Sequence, residues 1–194
     1  MDQWLVMNSP SPYEFYIMGA MSNYQLKEDT LAQVSHSTTA GGFGAYAQAI
    51  GLSGEYENNL DENYSDVTGL LNVRVLGSSL QTTSLTLSVG QRTRDYVENG
   101  QRESVRNPLS QVALQAYLTK YFGISGLYRY YYQANHDVLG TVEGTLVEGG
   151  LFIDFKGLRV FGNWHDDLQT NRPSTGPKKE YRRTGVRTGL VIFF

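Results

Sequence analysis

Cysteine is absent from the 194 residues. Its absence removes disulfide frameworks, thiolate zinc sites and cysteine nucleophiles together. Proline numbers only 5, charged residues make up 18%, and no basic excess exists, the formal net charge being -3. A nucleic-acid footprint needs a basic field, so that class of partner is excluded. No apolar run approaches the roughly 18 residues of a spanning helix. The first residues, Met1-Asp2-Gln3-Trp4, carry neither a basic n-region nor an apolar h-region. They suit either a cytosolic protein or a mature sequence with a start Met added after removal of a signal. Glycine at 21 and tyrosine at 14, against 8 phenylalanines, are what the chain has in quantity. That mixture favours strands and tight turns over helices.

Period-two alternation runs through most of the chain, the mark of strands whose two faces meet different surroundings. Val186, Thr188, Leu190, Ile192 and Phe194 share one face, and Arg183, Gly185, Arg187 and Gly189 the other. Leu158, Val160, Gly162 and Trp164 oppose Arg159, Phe161 and Asn163. Val147, Gly149, Leu151, Ile153 and Phe155 oppose Glu148, Gly150, Phe152 and Asp154. The same reading gives strands around Ile124–Tyr132, Val112–Leu118, Leu85–Val89 and Val67–Val75, and a less regular one over Ala40–Tyr56. In that last segment Gln48 interrupts the apolar phase, which predicts a bulge or a phase change. Eight strands result.

Short connections around 77–81, 120–123 and 156–157 alternate with longer polar ones around 57–63, 95–107, 135–141 and 165–181. An up-and-down meander closed into a barrel has this regularity, because all turns of one parity lie at one end. The expected fold is therefore all-β: an antiparallel, up-and-down transmembrane barrel over residues 40–194, preceded by an N-terminal extension over 1–39. In the extension Phe15, Ile17, Gly19 and Met21 have the spacing of a further strand and Gln25–Val34 that of a weak helix. Parity speaks against one additional spanning strand, so the segment is expected to be an arm, a plug or a packed extension.

A soluble lipocalin-like ligand-binding barrel would also alternate, with its apolar side chains inward. The charges choose between the two. The apolar phases are almost free of charge over roughly 9–11 residues, the length a tilted strand needs to cross hydrocarbon. The opposite phases carry Glu55, Arg74, Arg92, Arg129, Glu148, Asp154, Arg159 and Arg187. An arginine facing lipid costs about 2–4 kcal/mol near the midplane. These eight side chains are accordingly expected inside, as a network of mutually compensating charges. Aromatics gather near strand ends, Tyr56, Tyr130, Tyr132, Phe155 and Trp164 among them, as at a water–lipid boundary. The last residues, Arg187-Thr188-Gly189-Leu190-Val191-Ile192-Phe193-Phe194, resemble the C-terminal assembly signal of bacterial outer-membrane barrels, with Arg187, Gly189, Ile192 and Phe194 at its places. Together with eight strands, this resembles the small OmpA/OmpX-type barrels. The resemblance implies insertion by the barrel-assembly machinery, an outer-membrane location with a periplasmic C-terminus, short periplasmic turns and longer surface loops.

For function, an eight-stranded barrel has its interior filled by side chains and no aqueous channel. The expectation is a non-enzymatic, porin-like but occluded cell-envelope protein, monomeric, without cofactor or metal, acting through its loops. Charged loop groups over 55–66 and 166–183 could engage lipopolysaccharide phosphates or divalent cations. The alternative is a lipid-modifying enzyme. It would rest on His165 beside Asp166 and Asp167, with Ser125 or Thr119 as nucleophile. Tyr128–Asn135 faintly resembles the catalytic strand of outer-membrane lipid A deacylases, but Tyr132 and Ala134 stand where that family has His and Ser. His36, His136 and His165 lack the spacing of a metal site.

Overall fold

A computed structural model describes residues 13–28, 33–98, 101–136, 140–173 and 177–194. Ten antiparallel strands close into one barrel: β1 (Tyr13–Glu28), β2 (Val34–Ala47), β3 (Ile50–Asn59), β4 (Tyr64–Leu76), β5 (Ser84–Glu98), β6 (Gln101–Tyr117), β7 (Phe122–His136), β8 (Gly140–Phe155), β9 (Leu158–Arg172) and β10 (Lys179–Phe193). Each strand pairs with its chain neighbours, and β1 pairs with β10 to close the wall. The expected count of eight is wrong by two. Residues 13–28, expected as an arm or plug, form β1, and 25–28 are strand where a helix was expected. Residues 1–12 and 29–32 lie outside the described residues.

The second extra strand comes from splitting Ala40–Tyr56. Gln48 stands at φ 56° in a two-residue turn between β2 and β3. The turn has no Gly or Asn of its own, so its signal is only the broken phase. Tyr46 points inward, whereas Ile50, Leu52 and Tyr56 are exposed outward. Two added strands keep the start of β1 and the end of β10 at the same mouth, which resolves the parity objection. There the Phe15 and Phe194 backbones bond each other, N–H to O at 3.4 and 2.8 Å.

The longer connections also shrink. The β5–β6 and β9–β10 hairpins keep pairing to Glu98↔Gln101 and Asn171↔Lys179. Most of their polar residues are therefore strand residues above an apolar belt. On the outward face, β1 runs Phe15, Ile17, Gly19, Met21 and then Asn23, Gln25, Lys27. β4 runs Val67, Gly69, Leu71, Val73, Val75, preceded by Ser65. β10 runs Phe194, Ile192, Leu190, Thr188, Val186 and then Thr184, Arg182. About nine residues per strand, at roughly 3.3 Å rise and about 40° tilt, give a belt of about 23 Å. That matches the apolar band of a membrane barrel, about 25 Å tall. Outward aromatics border it: Tyr56, Tyr132 and Trp164 towards the long hairpins, Tyr13, Phe155 and Phe194 at the short turns. Tyr64 and Tyr96, which share the strand-end position, instead have inward hydroxyls bonded in the lumen.

Two backbone features shape the wall. β6 separates from β7 above Leu109↔Tyr131. Leu118 donates its N–H to Phe122 of β7, and the same alternate series of β6 residues includes Pro108, which has no N–H to give. The Asn107 side chain fills the parting, donating to the Tyr132 and Val142 carbonyls at 2.9 and 3.0 Å. At Gly189 a Cβ would meet the Gly19 carbonyl at 2.4 Å and the Phe161 ring at 2.7 Å, so that ring lies over a position only glycine fits.

The belt generates a graded prediction. Leu71→Arg, at mid-belt, is expected to destabilise the barrel by about 2–4 kcal/mol, and Ser65→Arg, above it, by about 0–1 kcal/mol. Equilibrium unfolding in lipid vesicles measures both. Equal costs would show that β4 does not cross hydrocarbon along this face.

Candidate functional site

The lumen holds the charged chemistry, and it is layered. At the long-hairpin mouth the β3–β4 turn bends inward and places Glu62 inside. Arg183 of β10 donates to both Glu62 oxygens, at 3.0 and 2.7 Å, and the Tyr24 hydroxyl donates to the same carboxylate. Asn59 shapes the turn by accepting the Asp61 and Glu62 N–H groups at 3.0 and 2.9 Å. Arg94 grips Asp66 with two donors, at 2.6 and 2.5 Å, and gives a third to Gln169 at 2.7 Å. Arg94 also lies over the Tyr64 ring, 4.1 Å from its centroid. This layer roofs the lumen.

Below it Arg187 bridges Glu57 and Glu148, at 2.5 and 2.9 Å, and donates to Ser22 at 2.9 Å. Arg129 donates twice to Glu55, at 3.0 and 2.9 Å, and once to Gln111 at 2.7 Å. Arg92 stacks on the Tyr131 ring at 3.7 Å, beside the only sizeable apolar cluster among the described residues, Leu70, Leu109, Tyr131 and Leu146. Its nearest carboxylate is Asp66 at 4.0 Å.

The third layer guards the short-turn mouth. Arg159 pairs with Asp154 at 2.7 and 2.9 Å, takes Gln115 at 2.7 Å, and donates to the Tyr117 hydroxyl and the Leu80 carbonyl. Leu80 belongs to the β4–β5 turn, which folds into the mouth; its N–H bonds Glu14 at 3.2 Å. Glu14 in turn holds Arg74 at 2.6 Å. Leu80 is thus a buried apolar stopper tied on both sides.

Of the eight interior charges expected from the sequence, three pairs meet directly: Arg129 with Glu55, Arg187 with Glu148, and Arg159 with Asp154. Arg74 and Arg92 find partners outside that set, Glu14 and Asp66. Sequence reasoning missed Glu14, Glu57, Glu62, Asp66, Arg94, Asp167 and Arg183. The signal was present. Asp66 shares the phase of Asn72 and Arg74, Arg94 that of Arg92, and Arg183 that of Arg187. Treating 55–66 and 166–183 as loops, 1–39 as an extension and the strand at Leu85–Val89 as ending before Arg94 stopped the count before reaching them.

The other candidate residues fall as follows. Ile192 and Phe194 point outward, whereas Arg187 faces the lumen and Gly189 lies beneath the Phe161 ring. Tyr130 and Tyr132 stack edge to face at 5.0 Å on the outside of β7. His165 is buried in the lumen, where its Nδ1 and the Asp167 Oδ1 have no hydrogen-bond partner. Ser125 instead bonds Asn163 at 3.2 Å, and Thr119 accepts backbone N–H groups within its own turn. Neither of these two candidate nucleophiles is therefore bonded to the imidazole. Among the described residues, no group of three ligating side chains could hold a metal ion. His36 lies 3.8 Å from Asp61 and His136 3.3 Å from Glu103, each apart from the others.

Carboxyls outside the belt are perturbed, Glu62 and Asp166 among them. Burial alone would raise the Glu62 carboxyl, but the Arg183 fork and the Tyr24 hydroxyl outweigh it and hold the group below its ordinary range. Asp166, on the outer face of β9, is lowered by the Arg182 guanidinium, at 2.8 and 2.7 Å, and by Thr184.

No protein-family model matches the chain, and no curated protein does. Among solved structures, the outer-membrane protease OmpT of Escherichia coli superposes with a TM-score of 0.53 at 10% identity, over 96% of this chain and 98% of that one. The translocator domain of the autotransporter NalP from Neisseria meningitidis gives 0.49 at 10% identity, over 98% of this chain and 92% of that one. Neisserial surface protein A gives 0.33 at 10% identity, covering 92% and 96%. The likeness to OmpT is one of fold, a closed antiparallel barrel.

Two outcomes follow from the roof layer. Asp66→Ala leaves Arg94, 2% exposed, without its carboxylate. Stability should fall by about 3–5 kcal/mol, and Asp66→Ala/Arg94→Ala should recover part of it. Chemical unfolding of the three variants in vesicles measures the coupling; purely additive losses would contradict it. Glu62 has a lower value folded than unfolded, so its contribution is complete above about pH 4.3 and is lost as pH falls through the depressed value. Amide exchange at Asn59–Asn63 should accelerate only below that range, and in Glu62→Gln it should be fast at neutral pH as well.

Proposed function

We propose that this chain is a bacterial outer-membrane β-barrel whose lumen is occluded by paired charges, and that it works as a structural and surface-interaction protein through its long hairpins. The observation that carries the reading is the exterior: a continuous apolar belt edged by aromatics, with Asn, Gln, Thr and charged residues on the same outward face above it. A soluble barrel would have to leave that belt in water. In this reading the start of β1, the end of β10 and the short turns lie in the periplasm, and the long hairpins are outside the cell. Arg187, Gly189, Ile192 and Phe194 serve the barrel-assembly machinery during insertion. The protein acts as a monomer.

Lipopolysaccharide is the natural neighbour of the outer rim. Lys27 and Arg182 stand directly opposite each other on β1 and β10, above the belt. Asp166 already pairs with Arg182, so an anionic phosphate here would compete with that carboxylate while accepting a charge-assisted hydrogen bond from Lys27. Catalysis is not part of the proposal. Neither Ser125 nor Thr119 is bonded to His165, and the Glu62–Arg183 roof stands between it and the long-hairpin mouth.

Whole-cell trypsin treatment tests the orientation. Cleavage is expected at Lys178, in the β9–β10 connection, or at Lys179, the first residue of β10, and not at Lys120 or Lys156 in the short turns. Planar-bilayer recordings should show no steady conductance from the wild type. Cutting at Lys156 in intact cells, or an open pore of porin size, would contradict the reading.

A further inference from the structure

Between the middle layer and the Leu80 stopper lies a cavity of about 220 Å³. Its wall has two characters. From β9 round to β2 it is apolar and aromatic, with Phe161, Val191, Phe193, Tyr16 and Tyr46. Across from them stand Asn72, Gln111, Gln115 and Ser125, with Arg129 and Arg159 behind the two glutamines. An apolar cavity of about 150 Å³ is large enough for benzene. This one admits a ring with a few further atoms.

The charges specify what that molecule carries. Arg129 is matched by Glu55, Arg187 by Glu148 and Glu57, and Arg159 by Asp154. Three guanidiniums there already face four carboxylates, so an entering anion would be buried without a counterpart, at a cost of several kcal/mol. Neutral polarity is different. Gln111 gives its oxygen to Arg129 and Gln115 gives its oxygen to Arg159. Each amide retains two N–H donors that no described group accepts. A ligand oxygen meets them. We therefore propose that the cavity is a binding site for a small neutral aromatic molecule bearing a hydroxyl or carbonyl oxygen, of phenol to indole size. Its ring lies against Phe161, Val191 and Phe193, and its oxygen accepts from Gln111 or Gln115.

The inference does not depend on the role given to the long hairpins. The test uses 4-fluorophenol as probe, followed by fluorine NMR with the full chain in detergent micelles and empty micelles as reference. Wild-type protein should shift or broaden the probe resonance beyond the micelle reference, and excess phenol should reverse the change. Ala113→Phe, which fills the cavity, should weaken the effect at least tenfold. Leu127→Trp serves as a second filling variant, and each is accepted as folded when its unboiled gel migration matches the wild type. 4-Fluorobenzoate, the anionic counterpart, should give no protein-dependent change. The proposal is overturned by a wild type indistinguishable from empty micelles, by folded filling variants that bind as well as the wild type, or by benzoate binding equal to phenol.

Discussion

The structure depends on enclosing arginine. Seven guanidinium groups, Arg74, Arg92, Arg94, Arg129, Arg159, Arg183 and Arg187, project into a lumen with little bulk water to screen them. Enclosed charges are costly unless paired and hydrogen-bonded, and carboxylates from β1, β3, β4, the β3–β4 turn, β8 and β9 pair most of them. Arg92, by contrast, reaches Asp66 only at 4.0 Å, and Arg74 Nε and Nη1 and Arg92 Nε have no hydrogen-bond partner. The need for pairing fixes the phase of the strands. A slip of one residue would send arginines into hydrocarbon and leucines into the lumen.

The same requirement explains why neither mouth stands open. A ten-stranded barrel has more interior than an eight-stranded one, and side chains from the wall alone would leave its ends wet. β4 is flanked by two inward turns. The turn before it inserts Glu62 under Arg183, and the turn after it inserts Leu80 between Glu14 and Arg159. Each stopper is tied to strands far away in sequence, so the closures also clamp the barrel across its diameter. The remaining interior space is the cavity beneath the middle layer, where the β9–β2 sector turns apolar.

Much of this was legible in the sequence because alternation is a local signal. The outward rows of β4, β8, β9 and β10 and the inward positions of Arg74, Arg92, Arg129 and Arg159 follow from counting by twos. What failed was the assignment of polar stretches to loops. Barrel strands continue beyond the belt, where both faces become polar and the hydrophobic alternation fades, so Asp66 and Arg183 looked like loop charge and the strand at Leu85–Val89 was read as ending before Arg94. The β2–β3 turn was hidden for another reason. Gln48 adopts a positive φ without the Gly or Asn that usually announces one. β1 was discounted on parity, an argument that held only while β2 and β3 were read as a single strand.

The claim that the apolar faces look into lipid and the arginines into the lumen has one direct test, and the absence of cysteine makes it clean. Single cysteines placed along β4 from Val67 to Val75, each carrying a nitroxide, can be read in vesicles by collision with oxygen, which concentrates in hydrocarbon, and with a water-soluble nickel chelate. Oxygen accessibility is predicted to peak at 67, 69, 71, 73 and 75 and to fall at 68, 70, 72 and 74. The opposite phase, or a strand uniformly open to the chelate, would contradict the account.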